Sequence, residues 1–153
     1  AVGQPAAASD HGVAAALSGV HMTVATPRGY APDAGVVAGA RAAARRSKAR
    51  LELSHDPVAA VRGADAVYTD VWASMGQEKE AARRKRLFKR YQVNRALLAN
   101  ARPDALVMHC LPAHRNDEIT DEALDSPRSV VFDQAENRLH AQKALLAMLL
   151  GAA

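Results

Sequence analysis

Short runs rich in β-branched and apolar residues alternate along this chain with longer alanine-rich stretches, and no other feature narrows the fold as much. A parallel partner strand can be reached only by crossing over one face of a sheet, so strands separated by helix-length segments imply a parallel arrangement. The pattern predicts strands over residues 21–26, 51–54, 66–70, 105–110 and 130–133. Several are apolar almost throughout, as expected where helices cover both faces. The expected class is α/β, a doubly wound parallel sheet flanked by helices.

Cap residues place the helices. Asp33 can cap a helix over 33–50, and Asp56-Pro57 starts a shorter one, with proline at the first helical position and Gly63 offering a stop. Further helices are expected over 94–101, ending before Pro103, and from about 135 to 150. Residues 1–9 contain no strand-like run, and 11–19 read as helix. A doubly wound sheet ordinarily opens with a strand, so this one is expected to lack its first strand. With 153 residues, the expectation is a single domain over 1–153, a length that buries about 70% of its unfolded surface.

Hydrophobic residues make up 49% and charged residues 24%, which excludes wholesale disorder and a fibrous architecture. Cys110 is the only cysteine, so no internal disulfide can form, and no secretory leader is evident; a cytoplasmic protein is expected. The apolar stretch 144–150 is far shorter than the roughly 20 residues that span a bilayer, so no membrane partner is expected. The net charge of +4 is concentrated between Gln77 and Arg90, where seven basic residues stand against Glu78 and Glu80. Only Phe88 and Tyr91 accompany that run, too few stacking platforms for a single-strand binder, and a solvated face explains it without nucleic acid. The glycine signatures of Rossmann and P-loop nucleotide sites are absent.

In a parallel α/β sheet the functional groups gather where strands end at their carboxyl edge. Three marked segments fall there: Asp70-Val71-Trp72-Ala73-Ser74-Met75-Gly76, His109-Cys110-Leu111-Pro112, and Asp133-Gln134-Ala135-Glu136-Asn137-Arg138, which is read as joining the last strand to the last helix. Each has an ordinary structural explanation alone: a helix cap, a small buried hydrophobe, an arginine paired with a nearby carboxylate. His109 and His114 lie five residues apart across a proline, which is not a helical zinc pair, and no second cysteine supports a metal site.

Together these segments resemble the ornithine carbamoyltransferase family. Asp70 to Glu78 resembles its Ser-Met-Gly loop, His109-Cys110-Leu111-Pro112 its His-Cys-Leu-Pro signature, and Glu136-Asn137-Arg138 its C-terminal arginine motif. Tyr91-Gln92-Val93-Asn94 is also familial, and the order and spacing agree from Val20 to Leu150, over approximately 20–150. The resemblance implies the C-terminal, ornithine-binding half of a two-domain enzyme that forms citrulline and phosphate from ornithine and carbamoyl phosphate, a step of arginine biosynthesis. It implies that Asp70 binds the α-amino group, that Ser74 and Met75 close over the amino acid, that Cys110 and Leu111 border the reacting centre, and that Arg138 contacts carbamoyl phosphate. Cys110 and Arg138 are the expected catalytic residues. No cofactor or metal, a homotrimer with sites between subunits, and a cis Leu111-Pro112 bond are further implications.

Two departures stand out. The family's Ser-x-Arg-Thr-Arg motif, which holds carbamoyl phosphate in the N-terminal domain, has no match; the nearest run, Ser47-Lys48-Ala49-Arg50, lacks the threonine. The Gly-Asp-Gly-Asn-Asn turn that relatives carry before their first helix corresponds here to Val2-Gly3-Gln4-Pro5-Ala6-Ala7. The chain alone is therefore expected to be inactive without the carbamoyl-phosphate domain. Leu145, Leu146, Leu149 and Leu150, on a helix that packs toward that domain in the family, are expected to be exposed and to promote association. The alternatives are a remnant that binds amino acids or assembles without catalysis, and a sister carbamoyltransferase acting on N-acetylornithine or putrescine.

Overall fold

A computed structural model describes residues 5–73 and 78–151. Helix α1 (Pro5–Leu17) leads into β1 (Met22–Ala25), followed by α2 (Ala34–Ser47), β2 (Leu51–Ser54), α3 (Pro57–Val61) and β3 (Ala66–Thr69). The remainder is α4 (Ala81–Phe88), α5 (Arg95–Leu98), β4 (Leu106–His109), α6 (Asp121–Leu124) and the long α7 (Val131–Leu149). All strand pairing is parallel: β1 pairs with β2, and β3 with β4 in a register that sets Thr69 opposite His109. This is the doubly wound α/β fold anticipated from the alternating pattern. Among the described residues no strand precedes β1, and the two strand pairs are not hydrogen-bonded to each other.

Local chemistry accounts for the helix starts. The Asp33 carboxyl accepts from the backbone N–H groups of Gly35 and Val36, Asp56 accepts from Val58, and Asn94 accepts from Leu97. Each bond satisfies a donor the helix cannot, which stabilises by about 1 kcal/mol. In α2 the buried positions Val37, Ala40, Ala43 and Ala44 recur at helical spacing and turn one face toward α1 and β1. Lys48 then takes a left-handed conformation, φ 62°, and ends the helix. A second cluster gathers Val61, Val67, Val93, Leu97, Val107, Ile119 and Val131 around β3 and β4.

Three expectations need correction. Residues 130–133 are not a strand: Ser129 makes a single parallel bridge to Val107, and α7 begins at Val131. A short apolar run suits either a buried strand or the first turn of a buried helix, and here Val131, fully buried, fills the core as a helical residue. The helix expected over 94–101 stops at Leu98. The basic run, a helix (α4), is not wholly a solvated face: Arg84 and Phe88 turn inward.

Helix α7 is an outlier in burial. Val131 is its one buried residue, while Leu145, Leu146, Leu149 and Leu150 are 56–80% exposed, as expected for that end of the chain. No helix among the described residues is long and apolar enough to cross a membrane.

Candidate active site

Parallel register brings two of the expected residues together. Thr69 and His109 are paired at the ends of β3 and β4, so the next residues, Asp70 and Cys110, leave the sheet side by side at its carboxyl edge. Cys110 Sγ lies 3.0 Å from Asp70 Oδ1, to which it donates, and the Val71 N–H donates to the same oxygen at 2.7 Å. Burial, reinforced by the bond to Asp70, pushes the Cys110 thiol up from its ordinary 9.0 to about 11. The sulfur therefore keeps its hydrogen at neutral pH and acts as a donor, not as a thiolate nucleophile.

The alternation of side chains along a strand sends the neighbouring pair the other way. Thr69 and His109 are both fully buried. The Leu111 N–H donates to His109 Nδ1 at 2.8 Å, which leaves the ring hydrogen on Nε2, 3.1 Å from Glu118 Oε1. The same Glu118 oxygen accepts from the His114 N–H, and its Oε2 lies 3.6 Å from His114 Nδ1. One buried carboxyl thus ties both ends of the 109–114 turn. Within that turn Leu111 has φ 51°, a left-handed conformation costing a branched residue roughly 1–2 kcal/mol, and Leu111-Pro112 is cis, as the resemblance implied. Glu118, 1% exposed, carried no sequence signal, because its partner lies nine residues back along an irregular loop.

On the other flank, Trp72 is buried and Arg84 reaches it from α4. Arg84 Nη1 donates to the Trp72 carbonyl at 3.2 Å, Nε bonds Glu80 at 3.0 Å, and the guanidinium sits 5.2 Å from the Tyr30 ring centroid. Sequence reading placed Arg84 on a solvated basic face; its four-residue spacing from Glu80 was the available clue. Gln92 Nε2 donates to the carbonyls of Asn116 and Asp117, bracing the loop that carries Glu118. Ser74 and Met75 lie outside the described residues.

Arg138 is not brought to Asp70 or Cys110 by any hydrogen bond or ion pair among the described residues, and it is exposed. It is the eighth residue of α7, counting from Val131, so it lies two turns beyond the helix N-terminus, out of reach of the potential there. No cluster of three metal-ligating side chains occurs among the described residues.

Residues 3–149 match the sequence model of the aspartate/ornithine carbamoyltransferase Asp/Orn-binding domain. The chain belongs to that family. Ornithine carbamoyltransferase of Thermococcus kodakarensis is 56% identical over 139 residues, 91% of this chain and 44% of that protein. The Rhodococcus opacus enzyme of the same name is 59% identical over 133 residues, 87% of this chain and 42% of its own length. Ornithine carbamoyltransferase from Pyrococcus furiosus superposes with a TM-score of 0.92 at 52% identity, covering 99% of this chain and 49% of that one. This carbamoyltransferase domain thus spans less than half the length of the curated relatives it matches.

Proposed function

We propose that this chain is the amino-acid-binding half of an ornithine carbamoyltransferase, and that Asp70 and Cys110 form the edge of its ornithine site. The observation that carries the reading is the Cys110–Asp70 pair, 3.0 Å apart at the carboxyl edge of two parallel strands. A carboxylate there gains a charge-assisted bond to the α-ammonium of an amino acid, and Cys110 and Leu111 border the side-chain amine. In the reaction the δ-amine attacks the carbonyl carbon of carbamoyl phosphate. The C–N bond forms, the C–O bond to phosphate breaks, phosphate leaves with the electron pair, and the nitrogen sheds a proton to give citrulline. An alkylammonium has a pKa of about 10.4, so the amine must first be deprotonated, which desolvation in a closed site favours. A thiol that retains its hydrogen suits a positioning role, and alignment of the substrates requires no covalent enzyme intermediate.

Ser74 and Met75 close over the amino acid in this reading. Arg138 serves carbamoyl phosphate, its planar permanent charge suiting phosphate and carbonyl oxygens. The carbamoyl-phosphate domain, carrying a Ser-x-Arg-Thr-Arg motif, is the partner that completes the site, in a cytoplasmic homotrimer. Calorimetric titration with ornithine, N-acetylornithine and putrescine tests the amino-acid side, with ornithine expected to bind and Asp70→Asn to abolish the heat. Citrulline formation is expected only when the carbamoyl-phosphate domain is supplied. Turnover by this chain alone, or heat from putrescine and none from ornithine, refutes the assignment.

A further inference from the structure

The segments that leave β1 and β3 meet on one guanidinium. After β1 the chain turns at Pro27-Arg28-Gly29-Tyr30: the Tyr30 N–H donates to the Pro27 carbonyl at 3.0 Å, and Gly29 takes φ 81°, a left-handed conformation that glycine supplies at the third position of such a turn. The turn delivers the Tyr30 ring to α4. There it meets Phe88 edge to face at 5.1 Å and lies 5.2 Å from the Arg84 guanidinium, within reach of a cation–π attraction. Arg84, 8% exposed, donates from Nη1 to the Trp72 carbonyl at 3.2 Å and from Nε to Glu80 at 3.0 Å. Trp72 stands two residues beyond Asp70, and β3 ends at Thr69, so no strand ladder holds this stretch. It is fastened instead at its two ends, by Cys110 at Asp70 and by Arg84 at Trp72. The Tyr30 hydroxyl makes no hydrogen bond among the described residues, so the ring is what Tyr30 contributes.

We propose that Tyr30 is a positioning residue for Asp70: its ring fixes the Arg84 guanidinium, and Arg84 in turn fixes the backbone that leaves Asp70. The role rests on the ornithine reading, in which the Asp70 carboxylate receives the α-ammonium. Arginine carries five donors on a flexible stem, and packing against the ring limits the orientations in which Nη1 meets the Trp72 carbonyl. A charge-assisted bond depends on distance and angle, so a ring that acts only on Arg84 still sets how well Asp70 holds an ammonium group.

Two readouts, both taken well below the unfolding midpoint, separate this role from a loss of stability. Tyr30→Leu is expected to weaken ornithine binding about fivefold in calorimetric titration, the factor of one partly exposed cation–π contact. It is also expected to lower, by about half a unit, the pH at which alkylation of Cys110 reaches half its full rate, because a displaced Asp70 no longer helps to hold that thiol near 11. Greater access to the sulfur would raise the rate without moving that profile, and Cys110 is the only thiol. Tyr30→Phe keeps the ring and is expected to preserve both values. Arg84→Lys keeps the charge, but one ammonium cannot reach both the Trp72 carbonyl and Glu80 as the planar fork does, so it should move both readouts the same way. Adding Tyr30→Leu to Arg84→Lys should then change little, since the two act in series. Unchanged readouts in Tyr30→Leu, or in Arg84→Lys where the leucine variant folds poorly, overturn the proposal, as do full additivity in the double variant and a Tyr30→Phe as impaired as Tyr30→Leu. If the unaltered chain gives no heat with ornithine, the amino-acid reading fails, and the alkylation profiles, measured without ligand, still judge Tyr30.

Discussion

Replacing Glu118 by alanine removes one oxygen that two donors share. His109 Nε2 lies 3.1 Å from it, and the His114 N–H also bonds it, in a place where Glu118 and His109 are 1% and 0% exposed. Each donor left without an acceptor costs about 1–3 kcal/mol, the buried ring at the upper end and the half-buried amide at the lower, so Glu118→Ala should lose about 2–5 kcal/mol. That is a large share of the roughly 5–15 kcal/mol that holds a domain folded, and it corresponds to a fall in Tm of about 4–20 °C for a chain of this length. Glu118→Gln keeps a carbonyl oxygen where both donors converge and turns its amide toward His114 Nδ1, so its cost should stay within about 1 kcal/mol. Urea titration followed by circular dichroism gives both numbers. If the alanine variant lies within about 1 kcal/mol of the parent, or the glutamine variant is as damaged as the alanine one, then this carboxyl group does not hold the 109–114 turn.

Because folding raises the Cys110 thiol from 9.0 to about 11, its contribution to stability is complete below pH 9 and is lost as pH rises through about 11; a pH series of urea midpoints should fall across that window and flatten in Cys110→Ser. Arg84→Met severs the bonds to the Trp72 carbonyl and to Glu80, and is expected to cost about 1–3 kcal/mol in the same titration, against a few tenths for the exposed Arg86→Met. The pair Leu146→Glu and Leu149→Glu, at positions 58% and 74% exposed, should change stability by under about 0.5 kcal/mol while lowering the mass seen by light scattering; undiminished association would show that α7 is not the contact.

What could be read in the sequence was what is decided locally or by strand parity. Asp33, Asp56 and Asn94 announce helix starts because a cap acts within three residues of itself. Asp70 and Cys110 were legible as a pair because both close apolar runs, and parallel register does the rest. What stayed hidden depends on distant partners. Glu118 is explained by the His109 ring, and Arg84 by Trp72 and Tyr30. The run at 130–133 misled because apolar character alone does not distinguish a covered strand from the buried start of a helix.

The separation of β1–β2 from β3–β4 bears on how the molecule opens. Each pair has its own apolar cluster, and among the described residues the seam between them is spanned by side-chain packing in place of strand pairing: Ala25 against Tyr91, the Tyr91 hydroxyl on the His55 carbonyl at 2.7 Å, His11 against Tyr68, and Tyr30 against Phe88 and Arg84. Cooperativity is only as strong as such a seam, so the halves should behave as two foldons with distinct opening free energies. Native-state amide exchange would then divide the chain between Ser54 and Ala66, with the amides of Met22–Ala25 and Leu51–Ser54 exchanging as one group and those of Ala66–Thr69 and Leu106–His109 as another. Anything that knits the two strand pairs together would merge the groups, and the merging would measure how much of the domain's unity comes from outside these residues.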